Sequence, residues 1–185
     1  FTYGLPKEHR HAVAHNYMAG RKIDRVSNLF LQSFLAVPME EVVEISNSDV
    51  FLDAVIPAGN MHCTADELSR FFQMLLNNGR WQDRQILRPE TVRLLRKPAS
   101  GVRIDRTLGL PMRYSMGMML GANPVGMFGP MTGRVYGHVG MMNVFGWADP
   151  QRELAAALIV TGKALLGSHL LAVARWQTEL ARRCK

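Results

Sequence analysis

Apolar residues Ile23, Val26, Phe30, Phe34 and Leu35 recur at near-helical spacing, which predicts a helix over 23–36 ending before Pro38. Residues 1–22 open with a turn at Gly4 and Pro6. Residues 42–56 fit no single period, and Ser46-Asn47-Ser48-Asp49 reads there as a turn or a helix start. The next signal is sharper. Thr64 and Glu67 have the spacing of a capping box, in which a threonine oxygen and a glutamate side chain satisfy free amides at a helix start. Leu68, Phe71, Phe72, Leu75 and Leu76 then mark one apolar face, and Asn77-Asn78-Gly79 closes the helix with residues that tolerate left-handed backbone angles. A link through Trp81 and Ile86-Leu87 leads to Pro89, suited to a first helical position, and to a helix that runs to about Arg96 and stops before Pro98.

From about Leu108 the period changes. Glycine becomes frequent and alternating or continuous apolar runs replace helical spacing, which predicts strands at about 114–120, 134–140, 143–148 and 153–161. Asp149-Pro150-Gln151 supplies the turn between the last two, and Ala155 to Val160 is apolar on both faces, as in a strand covered from both sides. A final amphipathic helix from about Ser168 carries Leu170, Val173, Ala174 and Leu180 on one face and the Glu179–Arg183 pair on another. The fold class is therefore α+β within one domain spanning 1–185: a mainly helical part over about 1–105, then antiparallel strands closed by a helix over about 106–185.

Composition narrows the function. A chain of 185 residues, 48% hydrophobic and 20% charged, lies in the globular range and can bury one ordinary core. The net charge of +7 invites a nucleic-acid reading, yet Arg88, Arg93, Arg96, Lys97, Arg103, Arg106 and Arg113 are spread over a helix and loop without alternating aromatics. They read as a solvated basic face, and no nucleic-acid partner is expected. Cys63 and Cys184 have no metal-ligand spacing, so neither a metal nor another cofactor is expected. No apolar run is long enough to span a membrane and no basic-then-apolar leader opens the chain, which leaves the compartment open with a lean toward the cytoplasm.

Tyr136-Gly137-His138-Val139-Gly140 carries the candidate chemistry. Glycine weakens a strand interior, so it usually marks a place where another backbone or a ligand comes close. A titratable side chain between two glycines is then a candidate site wall; an edge-strand histidine beside a bulge gives the same letters. Eight of the twelve methionines fall between Met112 and Met142. They fit a loosely shaped core and an adaptable apolar pocket for an acyl chain equally well.

Pro57-Ala58-Gly59-Asn60, Thr64-Ala65-Asp66-Glu67-Leu68, Asn78-Gly79, Arg88-Pro89-Glu90-Thr91, Gly137-His138-Val139-Gly140 and Ala148-Asp149-Pro150, taken in order, resemble the serine β-lactamase and penicillin-binding protein superfamily. The nearest branch is the class C-like one that includes family VIII carboxylesterases. That resemblance implies a β-lactamase-like fold and three catalytic motifs: Ser-x-x-Lys with the nucleophile, Tyr-x-Asn or Tyr-x-Ser, and a strand motif that is Lys-Thr-Gly, His-x-Gly or Trp-x-Gly. Only the third is matched, by His138-Val139-Gly140. No serine of the chain has lysine three residues on, no tyrosine has asparagine or serine two residues on, and no Gly-x-Ser-x-Gly elbow replaces them.

The resemblance implies that this chain is the C-terminal portion of a serine hydrolase, inactive by itself, whose nucleophile lies in an N-terminal half of the same domain. A small-molecule ester, amide or lactam would be its substrate. Gly140 would let the substrate carbonyl approach, the Met141 amide would be one of two oxyanion donors, and His138 would donate a hydrogen bond toward the site. Tyr136 and Val139 would line it on the substrate side. Histidine is mostly neutral at pH 7 where lysine is cationic, so an ester or peptide substrate is expected over a β-lactam carboxylate. A non-catalytic β-lactamase-like binding module is the alternative.

Overall fold

The computed structural model describes residues 1–140, 144–164 and 167–184. The chain divides into two compact units, Phe1–Thr64 with Ile159–Leu171 and Ala65–Leu158 with Ala172–Lys185.

The first unit begins with a 3-10 helix, Lys7–Ala12, followed by β1 (Tyr17–Met18), α1 (Arg25–Leu35), α2 (Met39–Ser46) and α3 (Asp49–Asp53). Asp24 caps α1, its carboxylate accepting from the Val26 and Ser27 amides at 3.1 and 3.0 Å, and Ala36 in the left-handed region ends it. The segment that fitted no single period is two helices. Asn47 interrupts them by bonding across to Asn16, and Ser48 caps α3 through the Phe51 amide. The buried Asn60 side chain joins three backbone groups, Ile56 N–H and the Phe51 and Ala54 carbonyls, so the turn after α3 keeps its polar groups satisfied. Tyr17–Met18 pairs in parallel with Gly162–Lys163.

The second unit runs α4 (Ala65–Leu76), β2 (Arg80–Trp81), β3 (Arg84–Gln85), α5 (Pro89–Arg96), β4 (Arg103–Asp105), β5 (Leu110–Tyr114), β6 (Met119–Leu120), β7 (Val125–Gly126), β8 (Gly129–Pro130), β9 (Tyr136–Gly140), β10 (Val144–Asp149), β11 (Leu154–Leu158) and α6 (His169–Arg183). Gly79 (φ 85) lies so close to Leu87 that a Cβ would meet its carbonyl oxygen at 2.2 Å, which fixes glycine where α4 turns into the β2–β3 hairpin. Six strands form an antiparallel sheet in the order β11-β10-β9-β6-β5-β4.

One face of the sheet packs Leu120, Tyr136 and Ala148 against Phe72 and Leu75 of α4 and Val92 of α5. The other packs Met119, Phe145, Trp147 and Ala156 beneath Val173, Trp176 and Leu180 of α6. Trp147 is the hub there, with Trp176 edge-on at 5.3 Å between ring centroids and Phe128 at 5.8 Å. Burying such side chains contributes roughly 1.5–3 kcal/mol each.

Three expectations change. The strand predicted over 114–120 is a hairpin: Ser115 N–H donates to the Met118 carbonyl and Met118 N–H to Ser115 Oγ, which reverses the chain between β5 and β6. The six-stranded sheet begins earlier than the predicted strands, with β4 inside the part read as mainly helical. In α6 the inward stripe is Val173, Trp176, Gln177 and Leu180, while Leu170 and Ala174 face outward. Gln177 is drawn inward by its bond to the Met127 carbonyl at 2.9 Å, which rotates the stripe away from the purely apolar choice.

Candidate functional site

Strand β9 leaves the core halfway along its length. Tyr136 and Gly137 are buried, His138 is exposed, and Val139 and Gly140 are half-buried. Successive side chains alternate, so Tyr136, His138 and Gly140 share the α4 face and Gly137 and Val139 the α6 face. Register pairs His138 with Gly146 and Gly140 with Val144. The Phe72 ring fills the space beside Gly146, where a Cβ would approach it to 2.3 Å. The exposed end of β9 thus emerges just beyond the wall that Phe72 builds.

The two glycines of the motif do different things. A Cβ on Gly137 would meet the Gly146 carbonyl at 2.2 Å and Trp147 Cβ at 2.5 Å, so its own sheet neighbours require glycine. A Cβ on Gly140 would touch only Val144, at 3.4 Å among the described residues, an ordinary contact. The first glycine answers to packing. Packing within the described residues gives no reason for the second.

His138 Nδ1 lies 3.0 Å from the Val139 carbonyl. A carbonyl only accepts, so Nδ1 carries the hydrogen and the neutral ring turns an accepting Nε2 outward.

Tyr136 belongs to the core. Its ring is fully buried among core side chains of the α4 face, where burial pushes its hydroxyl pKa up against the opposing influence of Arg96. Among the described residues its hydroxyl has no hydrogen-bond partner, and the Arg96 guanidinium stands 5.6 Å from the ring centroid. The side chain therefore packs as core rather than lining the exposed strand end. Val139 likewise packs toward the α6 face, away from the face that His138 shares. Met141 lies outside the described residues. Met112, Met118 and Met119 are buried, with Met118 on one face of the sheet and the other two on the opposite face, while Met116 and Met131 are exposed. The buried methionines among the described residues are divided between two cores.

Arg113, read from sequence as part of a solvated basic face, is a structural clamp. Its Nη2 donates to the Gly121 and Gly133 carbonyls at 2.5 and 3.1 Å, holding the chain that enters β9. Its position opposite Leu120 across the β5–β6 pair sets this up, and register is not visible in charge counting. Among the described residues no cluster of His, Cys, Asp and Glu could hold a metal ion, and no helix is long and apolar enough to cross a membrane.

Comparison with known proteins gives this arrangement a context. Residues 1–176 match the family model described as Beta-lactamase. The chain is 32% identical over 118 residues to the Esterase/beta-lactamase LipL of Mycobacterium tuberculosis (strain ATCC 25618 / H37Rv), covering 64% of this chain and 26% of that protein. Among solved structures it superposes on a family VIII carboxylesterase with a TM-score of 0.76 at 21% identity, covering 98% of this chain and 46% of the other. A penicillin-binding protein homolog from Caulobacter crescentus gives 0.70 at 19% identity, covering 97% and 47%. EstA from Arthrobacter nitroguajacolicus Rue61a gives 0.70 at 20%, covering 98% and 50%. The chain spans about a quarter of the length of that curated relative and about half of each structure. A match across nearly every residue, on an antiparallel sheet with helices over both faces, settles the assignment: the chain belongs to the Beta-lactamase family.

Proposed function

We propose that this chain forms the strand-and-helix part of a serine hydrolase that transfers acyl groups of esters or amides through an acyl-serine. In this reading the nucleophile and its activating lysine belong to polypeptide outside these residues. The observation that carries it is Gly140. It sits at the end of β9, two residues beyond the exposed His138 and next to the half-buried Val139, and no described neighbour requires it to be glycine. A substrate carbonyl approaching the strand would supply that requirement.

The chemistry follows from charge. Attack on an acyl carbon places negative charge on the carbonyl oxygen, and a fixed amide donor for it is worth about 3 kcal/mol of barrier. The backbone following Gly140 is the proposed source of one such donor, and the amide of the nucleophile itself the other. Neutral His138, with Nε2 outward, accepts a hydrogen bond from a substrate or from a neighbouring hydroxyl. It offers no permanent cation to a carboxylate, which favours uncharged esters over β-lactams.

The test uses the longer polypeptide that contains this chain. A fluorophosphonate probe should label one serine in a Ser-x-x-Lys setting there, and short-chain esters should be cleaved faster than a β-lactam. A motif-free, unlabelled polypeptide would instead establish the binding-module alternative, and lactam rates well above ester rates would remove the preference for esters.

A further inference from the structure

From Thr91 to Ala148 the sequence holds seven arginines and lysines and a single acid, Asp105. The structure sorts them. Arg113 is clamped to two carbonyls, and Arg96 stands over the Tyr136 ring. The side chains of Lys97, Arg103 and Arg106 are exposed and make no hydrogen bond or ion pair among the described residues.

Asp105 does not balance them by pairing. Its carboxylate is engaged by the hairpin itself, accepting from the Tyr114 hydroxyl at 2.5 Å and from the Thr107 and Leu108 amides at 2.8 and 2.9 Å. Gly109, at φ 68, completes the turn by donating its amide to the Asp105 carbonyl. The β4–β5 hairpin therefore presents its tip in one fixed shape.

The same rim exposes aliphatic side chains. Val102 is 65%, Ile104 66% and Leu110 45% exposed. Ile104 lies opposite Pro111 in the register of the edge strand β4, Arg103 points to the other side of the same strand, and Val102 immediately precedes it. Cations and aliphatics interleaved on an exposed edge suit a surface that is anionic outside and apolar just beneath. A single-stranded nucleic acid would instead need stacking aromatics, and the hairpin's one aromatic, Tyr114, is already bonded to Asp105.

From this juxtaposition we infer that the 101–110 rim is a docking surface for anionic lipid. Lys97, Arg103 and Arg106 meet the phosphates, while Val102 and Ile104 enter the boundary between headgroups and acyl chains. Docking of this kind lies on the membrane and does not span it, and it stands or falls independently of the acyl-transfer reading.

The full chain would be sedimented with vesicles of phosphatidylcholine alone and of phosphatidylcholine mixed with phosphatidylglycerol, at low and high salt. Binding to the mixed vesicles only, weakened by salt, is expected. Arg103→Glu/Arg106→Glu should weaken it at least about tenfold, with Arg103→Lys/Arg106→Lys retaining it. Val102→Ser/Ile104→Ser should also weaken it about tenfold; Ile104→Thr, a good strand former, replaces the serine pair if circular dichroism shows loosening. Equal binding to both vesicle types, or none to either, overturns the inference. So does binding that ignores the aliphatic substitutions while heparin retention tracks the charge reversal, for that is the behaviour of a plain polycation.

Discussion

Trp147 closes the space beside Gly137 across the β9–β10 pair, leaving a hypothetical Gly137 Cβ only 2.5 Å from the Trp147 Cβ. Three residues on, Gly140 meets no comparable constraint from the described residues. Packing among the described residues thus requires glycine at the first position of the motif and leaves the second to the proposed carbonyl approach.

Gly137→Ala should destabilise the chain by about 3 kcal/mol, because overpacking against backbone cannot be relieved by a rotamer change. Gly140→Ala should change the urea midpoint little, by less than about 1 kcal/mol. In the longer polypeptide it should nevertheless slow ester cleavage at least about tenfold by obstructing the proposed carbonyl approach. A large loss of stability in Gly140→Ala would show that packing explains both positions.

Asp149 and Arg152 hold the β10–β11 turn. Their ion pair is 2.6 Å with both side chains nearly buried, and Arg152 also reaches the Met131 and Ala181 carbonyls. Asp149→Ala leaves that guanidinium uncompensated and should cost about 3 kcal/mol in thermal or chemical unfolding. Asp149→Ala/Arg152→Ala should cost clearly less than the sum of the two single changes.

The Tyr114–Asp105 bond gives the hairpin a pH signature. Burial, reinforced by the Asp105 hydrogen bond and charge, pushes the Tyr114 hydroxyl up to about 12. Its folded value exceeds the ordinary one near 10, so its contribution is complete below pH 10 and disappears as pH rises toward 12. The Tyr114 hydroxyl, followed by the Leu108 and Thr107 amides, holds Asp105 below the usual carboxylate range. That contribution is present above the ordinary carboxylate value and fades as pH falls through the lower folded one. Ultraviolet titration of tyrosinate should show one late-ionising group that Tyr114→Phe removes.

Acid should also act on the first unit. Burial lowers the His62 pKa, and its Nε2 is buried without a hydrogen-bond partner among the described residues. The neutral ring is favoured in the fold, so stability is present above the ordinary value of 6.5 and is lost as pH falls below it. Proton uptake at His62 during unfolding near pH 6, followed by nuclear magnetic resonance, checks the sign.

The chain by itself should resist fluorophosphonate labelling at all eight of its serines, none of which has lysine three residues on. Saturable labelling of any one of them would contradict the assignment of the nucleophile to other polypeptide.

The sequence alone determined what depends on neighbours a few residues apart. Asn78-Gly79 at the end of α4, Pro89 at the start of α5 and Asp149 at the β10–β11 turn act through bonds and torsions within one local segment, so their spacing announces them. The ordered run of motifs from Pro57 to Pro150 likewise announced the family. Tertiary structure decided the rest. It placed Tyr136 in the core and His138 in the open on the same face, turned Arg113 inward, and rotated α6 toward Gln177. It also separated Gly137 from Gly140. Each of these outcomes rests on a partner distant in sequence, brought close by strand register and helix docking, and residue order within one element carries no record of which partner that will be.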